Sequence, residues 1–522
     1  MEKLNKVKLE QISLLQERVS EGSLEESNFR ILKKIILKAD NSQEVFALAS
    51  MGMIFKNTGL VYDQKTEKIE NNIKYLSKNN ILSFVESGEI QHELLIGDNY
   101  DSLLNLQIKY LSKIKIIYID PPYGSNDLGE FADTNYQNAI SRDNLLSMLH
   151  PRLILARTLL LDDGVIYCSI DDKNYAYIKC LFDEVFGEEN YISTFIWNNT
   201  TGGGIRSKHV NKTHEYILFY SKNKKNIEEL WAPLSPSAIS SYKLKDDRGK
   251  LYRLQQFAWQ NESEGLNQKY PITTPDGTEI IPQEGYIYRT TKETFNKWND
   301  NGIIVFKKTK ESVFSNLDGS NTEWTISVKD YLGDGMGAPT SSLPKEYVKT
   351  NQKSSSEIKD IFGKKVFKFT KPVDLIKYLI KIIPEEENTI VLDFFAGSGT
   401  TGQAVCEINK ELGKKYKFIL CTNNEKDVKL HPRGIAYDVT VERLRRVMTG
   451  IATSGNSNFK WIKNNEKLGG NLEVFEIFFA DNKDIDIFNK IDETNYGYKK
   501  MSLEEKIKWV CENFEKTAKV LK

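Results

Sequence analysis

The chain has 522 residues, 40% of them hydrophobic and 11% aromatic, which is enough for about two to four structural units with buried cores. Lysine plus arginine and aspartate plus glutamate both number 72, so the formal net charge is zero. That charge balance counts against a protein that coats nucleic acid non-specifically, although a local basic groove stays compatible with it. The five cysteines contain no C-x-x-C pair and the five histidines no ligand spacing. We therefore expect no metal site and no disulfides, and a cytoplasmic, membrane-free location.

Residues 1 to about 85 are predicted to be helical. Apolar residues such as Leu14, Leu15, Ile31 and Ile35 recur there at helical spacing among charged neighbours. The segment is interpreted either as a partner-binding or dimerising appendage, or as helices that cap the core that follows.

From Glu93 onward, short apolar runs alternate with amphipathic segments. The predicted strands are 94–96, 115–120, 164–170, 389–394 and 417–421. The predicted helices are 145–161, 175–185, 374–383 and 401–411. Strands that alternate with helices indicate a parallel sheet covered on both faces, so the sequence predicts one α/β sheet assembled from two separated stretches. Between them, residues 196–365 predict an irregular, mainly β insertion, and the tail after about 451 ends in an amphipathic helix.

The first chemical motif is Asp120-Pro121-Pro122-Tyr123, after a predicted strand, where open α/β sheets bind ligands. Proline cannot donate to a ladder, so the pair forces the chain out of the sheet and leaves carbonyl acceptors. Acceptors beside a flat ring suit the exocyclic amine of a base, because accepting its N–H bonds frees the nitrogen for attack. The ring can stack on a base flipped out of the helix. A strand-terminating turn is the alternative.

The second motif spans residues 391–401: a strand ending at Asp393, a tight turn with Gly397 and Gly399, and a helix start. Glycine permits positive φ and a close approach of ligand to backbone. The spacing is not G-x-G-x-x-G and no G-K-[ST] follows, so phosphate binding is not indicated. The carboxylate suits the ammonium of a cofactor with an amino-acid tail.

Together the two motifs resemble the amino-methyltransferases of DNA, and their order resembles the permuted β group of that family. The stretches 145–172, 182–190 and 213–222 resemble the modification (Mod) subunits of type III restriction–modification systems. The resemblance implies an α/β, Rossmann-like fold that uses S-adenosylmethionine, with permuted motif order. The implied domains are a helical N-terminal extension (1–88), the catalytic part of the methyltransferase domain (89–195), a target-recognition insertion (196–365), the cofactor-binding part (366–450) and a C-terminal extension (451–522).

Carried over to this sequence, the resemblance assigns the catalytic motif to the target base, with the Asp120 side chain and the Pro121 carbonyl as amine acceptors and Tyr123 as the stacking ring. The residues assigned to S-adenosylmethionine are Asp393, Phe395, Gly397, Gly399, Thr400, Lys371, Pro372, Glu425 and Asp98. Thr370 stands where the family commonly has asparagine before Lys-Pro. Glu425 is placed for the ribose hydroxyls, and Asp98 either approaches the adenine moiety or caps a helix.

The insertion is the expected DNA-reading region. Arg206, Lys208 and Lys212 follow or flank a run of three glycines and are predicted to contact phosphates. Solvated loops and a small β core are the alternative for these residues.

The resemblance implies methylation of adenine N6 in double-stranded DNA with base flipping. Aligning amine, methyl and sulfur contributes on the order of 7–11 kcal/mol to such a reaction. Two alternatives stay open: methylation of cytosine N4, and a DNA-binding specificity subunit that acts mainly with a restriction partner. Because no G-x-x-x-x-G-K-[ST] loop is present, restriction would need a separate helicase–nuclease subunit. A homodimer is also implied by the family.

Overall fold

The computed structural model describes residues 2–518 except 21–23, 25, 52–71, 124–141, 201–207, 262–266, 334–336, 345–347, 349, 368–369, 385, 426–430 and 482–485. The chain divides into two compact units. Unit 1 comprises Met1–Glu229 and Ser341–Lys522, and unit 2 is Leu230–Thr340.

The helices are α1 (Glu2–Ser20), α2 (Glu26–Lys38), α3 (Ser42–Met51), α4 (Asn99–Tyr110), α5 (Arg142–Leu159), α6 (Tyr175–Phe186), α7 (Pro236–Ser240), α8 (Lys292–Asp300), α9 (Asn351–Phe362), α10 (Val373–Lys381), α11 (Thr400–Leu412), α12 (Glu442–Thr449), α13 (Lys460–Asn464), α14 (Ile487–Lys490) and α15 (Leu503–Ala518). The strands are β1 (Asn72–Lys78), β2 (Gln91–Ile96), β3 (Ile114–Ile119), β4 (Leu160–Ile170), β5 (Tyr191–Asn198), β6 (His214–Ser221), β7 (Trp231–Ala232), β8 (Leu244–Lys245), β9 (Leu251–Gln256), β10 (Ala258–Gln260), β11 (Ile272–Thr273), β12 (Glu279–Pro282), β13 (Tyr286–Tyr288), β14 (Ile304–Lys308), β15 (Phe314–Asn316), β16 (Trp324–Tyr331), β17 (Ala338–Pro339), β18 (Ile390–Asp393), β19 (Lys417–Thr422) and β20 (Asn471–Asp481).

Within the described part of unit 1, a nine-stranded sheet has the order β1-β20-β2-β19-β18-β3-β4-β6-β5. The strands from β20 to β4 run parallel, whereas β1, β6 and β5 are antiparallel additions at the two edges. Strands β3 and β18 are neighbours, with Leu392 paired to Ile117. The expected α/β sheet built from two separated stretches is therefore confirmed, and so is the permuted order, because β3 precedes β18 in the chain.

The parallel strands are apolar on both faces because helices cover both. Every residue of β3 is buried, and the core around it includes Leu103 of α4, Leu149 of α5 and Phe182 of α6. Burying one such side chain contributes roughly 1.5–3 kcal/mol. Short runs of buried β-branched residues explain why these strands could be predicted from the sequence.

Four strands of this sheet, β1, β5, β6 and β20, were not among the predicted strands. The expectation of helix up to about residue 85 is wrong at β1, and the tail after residue 451 contributes β20. Asn72 pairs with Asp481 and Lys78 with Phe475, so each strand is stabilised by a partner about 400 residues away, which local periodicity does not reveal. The predicted C-terminal helix is α15, whose Val510 and Phe514 are buried against the sheet core.

Unit 2 is mainly β-structure. Its largest sheet among the described residues has four strands in the order β14-β16-β9-β8, and its core includes Phe257, Tyr288 and Phe314. The predicted insertion 196–365 is wider than this unit, because β6 joins the unit 1 sheet and α9 also belongs to unit 1.

Across the described ranges, none of the helices is both long and apolar enough to cross a bilayer. The same residues contain no cluster of three His, Cys, Asp or Glu side chains arranged to hold a metal ion.

Candidate active site

The carboxyl ends of the parallel strands bring the two sequence motifs to one edge of the sheet. Asp120 follows β3 directly, and Asp393 closes the adjacent β18. The start of α4, the helix that follows β2, also lies at this edge, because Asn99 Nδ2 donates to the Phe394 carbonyl at 3.0 Å. Parallel sheets bind ligands at this edge, where loops diverge from the strand ends.

Four side chains form one hydrogen-bonded group, here named the Asp120 cluster: Asp120, Tyr123, Glu215 and Lys371. Lys371 Nζ lies 3.0 Å from Asp120 Oδ1 and 2.7 Å from Glu215 Oε2, and it donates to the Tyr123 hydroxyl at 2.6 Å. That hydroxyl lies 2.8 Å from Asp120 Oδ1 and 3.1 Å from Glu215 Oε2, and it can donate to either carboxylate. The Lys371 ammonium thus forms ion pairs with both carboxylates, and the Tyr123 hydroxyl lies within hydrogen-bond distance of both.

The two carboxylates differ in basicity. Burial raises the pKa of Asp120, and although the Lys371 charge opposes this, the pKa stays above its ordinary value. Burial also acts to raise the pKa of Glu215, but Lys371, Asn199 and Tyr123 outweigh it and the pKa falls below its ordinary value. Burial alone would lower the pKa of Lys371, yet the two carboxylates raise it. Asp120 is therefore the more basic carboxylate beside a lysine that stays protonated.

Neighbouring groups fix the orientation of this cluster. Asn174 Nδ2 donates to the Tyr123 carbonyl at 2.5 Å, and Asn199 Nδ2 donates to Glu215 Oε1 at 3.0 Å. The Lys371 ammonium lies 5.0 Å from the centre of the Tyr123 ring and 5.5 Å from that of Trp197. Such cation–π contacts favour the charged lysine.

Lys371 was assigned to the cofactor, and the structure places its ammonium on Asp120. Sequence reasoning missed Glu215 as a site residue, although it stands within the stretch 213–222 that carried the resemblance. The available signal was an acidic residue at the start of β6, which is otherwise rich in aromatic and aliphatic side chains. Pro121 is buried and Pro122 half-buried at the strand exit, and Pro372 precedes the first residue of α10.

Asp393 fixes both ends of the glycine loop (residues 394–400) by accepting two hydrogen bonds. Asp393 Oδ1 accepts from the Phe395 amide at 2.9 Å and Oδ2 from the Thr401 hydroxyl at 2.6 Å. Burial raises the pKa of Asp393 to about 7. Gly397 and Gly399 have φ of +48° and +79°, and a Cβ on Gly399 would lie 3.3 Å from Thr440 Cγ2. The positive φ therefore favours glycine at both positions, and the space beside Gly399 is tight as well.

A buried arginine supports the loop from the other side. Arg443, 1% exposed, donates to Ser398 Oγ at 3.0 Å and to Thr400 Oγ1 at 2.7 Å. Thr440 Oγ1 donates to the Gly397 carbonyl at 2.6 Å. Thr400, which was assigned to the cofactor, thus uses its hydroxyl inside the protein. Neither Arg443 nor Thr440 was identified from the sequence, because both follow the loop by about 40 residues.

Several polar atoms at this edge fit a nucleoside-bearing cofactor. Glu425 is 8% exposed, burial raises its pKa to about 7, and its Oε2 has no hydrogen-bond partner among the described residues. Within the same described ranges, the buried Thr370 Oγ1 also lacks a partner. Such groups normally find one, so a bound hydroxyl or amine would satisfy them. Phe395 is half-buried beside Phe394, with ring centres 5.3 Å apart.

Asp98 is the N-cap of α4. Its Oδ1 accepts from the Tyr100 amide at 2.8 Å and from Arg152 Nη2 at 3.0 Å. The capping alternative is thus realised, while 42% of the side chain stays exposed. A contact with a cofactor stays a prediction.

The residues predicted to contact DNA phosphates are only partly described. Lys208 is exposed, Lys212 Nζ pairs with Asp172 Oδ2 at 2.6 Å, and Arg206 lies outside the described residues. Their role stays a prediction.

Comparison with known proteins identifies the family of this chain. The profile of the DNA methylase family (N6_N4_Mtase) matches residues 114–431, which includes both motifs, and a family described as an uncharacterised conserved protein matches residues 7–114. The chain belongs to the DNA methylase family. Both strands whose pairing forms the site, β3 and β18, fall within the matched DNA methylase region.

Relatives of this DNA methylase include the Mod subunit of the type III restriction-modification enzyme StyLTI from Salmonella typhimurium, 31% identical over 416 residues that make up 72% of this chain. The EcoP15I Mod subunit from Escherichia coli is 27% identical over 69% of this chain. The aligned regions span 61% and 64% of the length of those two subunits. The type II methyltransferase M.KpnI from Klebsiella pneumoniae is 29% identical, over 68% of this chain and 87% of its own.

Proposed function

We propose that this chain transfers a methyl group from S-adenosylmethionine to adenine N6 in double-stranded DNA. The observation that carries the proposal is the parallel pairing of β18 with β3, which puts the glycine loop beside the Asp120 cluster. A cofactor on the loop and a base on the cluster would then meet at one sheet edge. The matching DNA methylase family and the relatives named as Mod subunits support DNA as the substrate, and the choice of adenine N6 follows from the resemblance of the Asp120 motif.

The Asp120 cluster would bind and orient the N6 amine of the target adenine. Asp120, with a pKa raised above its ordinary value, is a strong acceptor for an N6 hydrogen and suits the proton that the amine releases as the N–C bond forms. Lys371 keeps that carboxylate ionised and oriented, and Glu215 compensates the lysine charge. The Tyr123 ring, fixed through its hydroxyl and its carbonyl, offers a surface against which a flipped base can stack.

Cofactor binding is assigned to the glycine loop and its neighbours. S-adenosylmethionine, when bound, supplies an electrophilic methyl group on a sulfonium. Asp393, Gly397 and Gly399 would form the floor for its amino-acid end, and the unpartnered Glu425 Oε2 would accept from the ribose hydroxyls. Thr370 Oγ1 offers a further buried contact.

The wider assignments belong to the same proposal. Residues 196–365, with unit 2 inside them, would recognise the target sequence, between the catalytic part 89–195 and the cofactor part 366–450. The extensions are 1–88 and 451–522. The names of the Mod relatives support a type III restriction–modification system. A helicase–nuclease restriction partner and a cytoplasmic location complete the proposal. The resemblance also supports a homodimer, which sedimentation of the purified chain would test.

The test is methylation of DNA that lacks base modification. Purified chain is incubated with this DNA and labelled S-adenosylmethionine, and the nucleosides are identified by mass spectrometry after digestion. We expect N6-methyladenine. N4-methylcytosine instead would assign the alternative base, and no methylated nucleoside from any DNA would refute the proposal.

Asp120→Ala should abolish methylation without unfolding the chain. The matched control is Asp163→Ala, which removes a carboxylate paired with Lys115 at 2.6 Å. Lys115 lies near the amino end of β3 and Asp163 near that of β4, whereas Asp120 follows the carboxyl end of β3. The control variant should therefore stay active. Equal loss in both variants would mean that the effect is structural.

A further inference from the structure

The four-stranded sheet of unit 2 has two chemically different faces. Residues directly opposite each other on paired strands point to the same side. Ile304, Ile326 and Val328 share one side and pack into the unit 2 core. The residues between them along the strands therefore point to the other side, here named the polar face. They are Val305, Lys307, Thr325, Ser327, Lys329, Tyr331, Gln256, Leu254, Tyr252 and Leu244.

Side-chain contacts agree with this division. Gln256 Nε2 donates to Thr325 Oγ1 at 3.0 Å, and the rings of Tyr252 and Tyr331 are 5.4 Å apart. The Lys329 ammonium lies 5.5 Å from the centre of the Tyr252 ring. Seven of the ten residues on the polar face thus carry amide, hydroxyl, phenol or ammonium groups, and the other three, Val305, Leu254 and Leu244, are aliphatic.

The charge on this face has one sign. The described strand residues that point to it include two lysines and no aspartate or glutamate. Two acids lie just beyond the strand ends, and both are bound to other cations: Glu323 to Lys308 at 3.3 Å and Asp246 to Arg248 at 3.2 Å. A one-signed face stands out in a chain whose overall charge is zero.

The spacing of the two lysines matches a duplex. Lys307 is paired with Thr325, and Lys329 lies four positions further along β16, so a strand rise of about 3.4 Å and a strand spacing of about 4.8 Å put the two Cα atoms about 14 Å apart. The major groove of B-DNA is about 12 Å wide. Two lysines at this separation can reach phosphates on both sides of the groove, with Gln256 and Thr325 between them as hydrogen-bonding groups for base edges.

We infer that the polar face is the surface through which unit 2 binds the backbone of double-stranded DNA. The inference rests on the proposed function for the identity of the duplex, and it assigns the contacts to Lys307 and Lys329. Strands are known to enter the major groove, and phosphate contacts supply most of the affinity that depends on salt.

The experiment measures binding of the full-length chain to a fluorescent duplex of mixed sequence at several salt concentrations. The variant Lys307→Ala/Lys329→Ala should bind about tenfold more weakly, and its slope of log K against log salt should be smaller in magnitude by about 1.8, because each phosphate contact contributes about 0.9. The matched control is Lys245→Ala, an exposed lysine on β8 whose pairing with Leu251 puts it on the other side of the sheet. It should bind like the parent chain.

Unchanged affinity and slope in the double variant, or an equal loss in Lys245→Ala, would overturn the inference. So would binding to polyglutamate with the same lysine dependence, which would indicate a general anion surface. Methylation is measured on the same preparations. A double variant that binds DNA like the parent refutes this inference alone, whereas lysine-dependent DNA binding without methylation of any DNA refutes only the proposed function.

Discussion

Replacing Lys371 by methionine is expected to shift the acidic limb of the pH–rate profile upward by about 2 pH units. Asp120 must be ionised to accept hydrogen bonds from the amine, so activity falls as pH drops through the Asp120 pKa. Lys371 is the cation that holds this pKa down, against burial and against the charge of Glu215. Its loss leaves both opposing influences unbalanced, and the carboxylate then ionises only at higher pH.

The magnitude follows from the separation of 3.0 Å between Lys371 Nζ and Asp120 Oδ1. With an effective dielectric constant of about 20, Coulomb attraction is about 5.5 kcal/mol, or about 4 pKa units, which is an upper bound. The Asp120 side chain is 28% exposed, so water weakens the interaction. Carboxylates next to one cation usually shift by about 1–3 units, which places the expected change near 2.

The opposite shift is expected in Glu215→Gln. This change removes a negative charge that raises the Asp120 pKa, so the acidic limb should move to lower pH. Both variants are assayed as kcat/KM for methyl transfer across about pH 5 to 10, a parameter that reports groups of the free enzyme.

Lys377→Met is the control for general effects of losing a buried lysine. Lys377 is 13% exposed, close to the 11% of Lys371, and it also pairs with two carboxylates, Glu407 and Glu411. Both lysine variants are expected to lose stability in denaturant titrations, by about 3–5 kcal/mol, but only the Lys371 variant should change the profile. An unmoved limb in Lys371→Met, or the same displacement in the control, would refute the reasoning.

Three further changes test the cofactor side. Gly399→Ala should weaken S-adenosylmethionine binding by about tenfold in calorimetry, because the new side chain is forced into positive φ beside Thr440. The control is Gly413→Ala at the other end of α11, where φ is +63° and the space is open. It should lower the stability of the chain but leave the cofactor affinity unchanged. Arg443→Met should lower the free energy of unfolding by about 3 kcal/mol in urea and should weaken the binding of S-adenosylmethionine, because the hydroxyls of Ser398 and Thr400 lose their donor. Glu425→Gln should remove a rise in cofactor affinity with pH near about 7, where the buried carboxyl ionises; a rise that persists would exclude this residue as its source.

The sequence predicted the local features of the fold well. Strands β3, β18 and β19 were predicted to within one residue at each end, because buried parallel strands are uninterrupted apolar runs. The turns after β3 and β18 were also predicted, since proline and glycine restrict or free the backbone at their own positions. The Asp120 and Gly397 motifs therefore could be located without coordinates.

The pairing of β1 with β20 could not be predicted, and neither could the contacts of Glu215, Lys371 and Arg443. Each depends on segments that are distant in sequence: Glu215 and Lys371, for example, are separated by 156 positions. A strand at a sheet edge has weak periodicity of its own and forms because a partner strand is available.

The sequence by itself determined the strand and helix alternation, the two turns and the kinds of residue at their tips, because these follow from backbone restrictions and side-chain burial within a few residues. Only the tertiary structure decided which charges meet. The basicity of Asp120 and the loop support by Arg443 arise from desolvation and from partners a few ångströms away, and such proximity is a property of the folded chain.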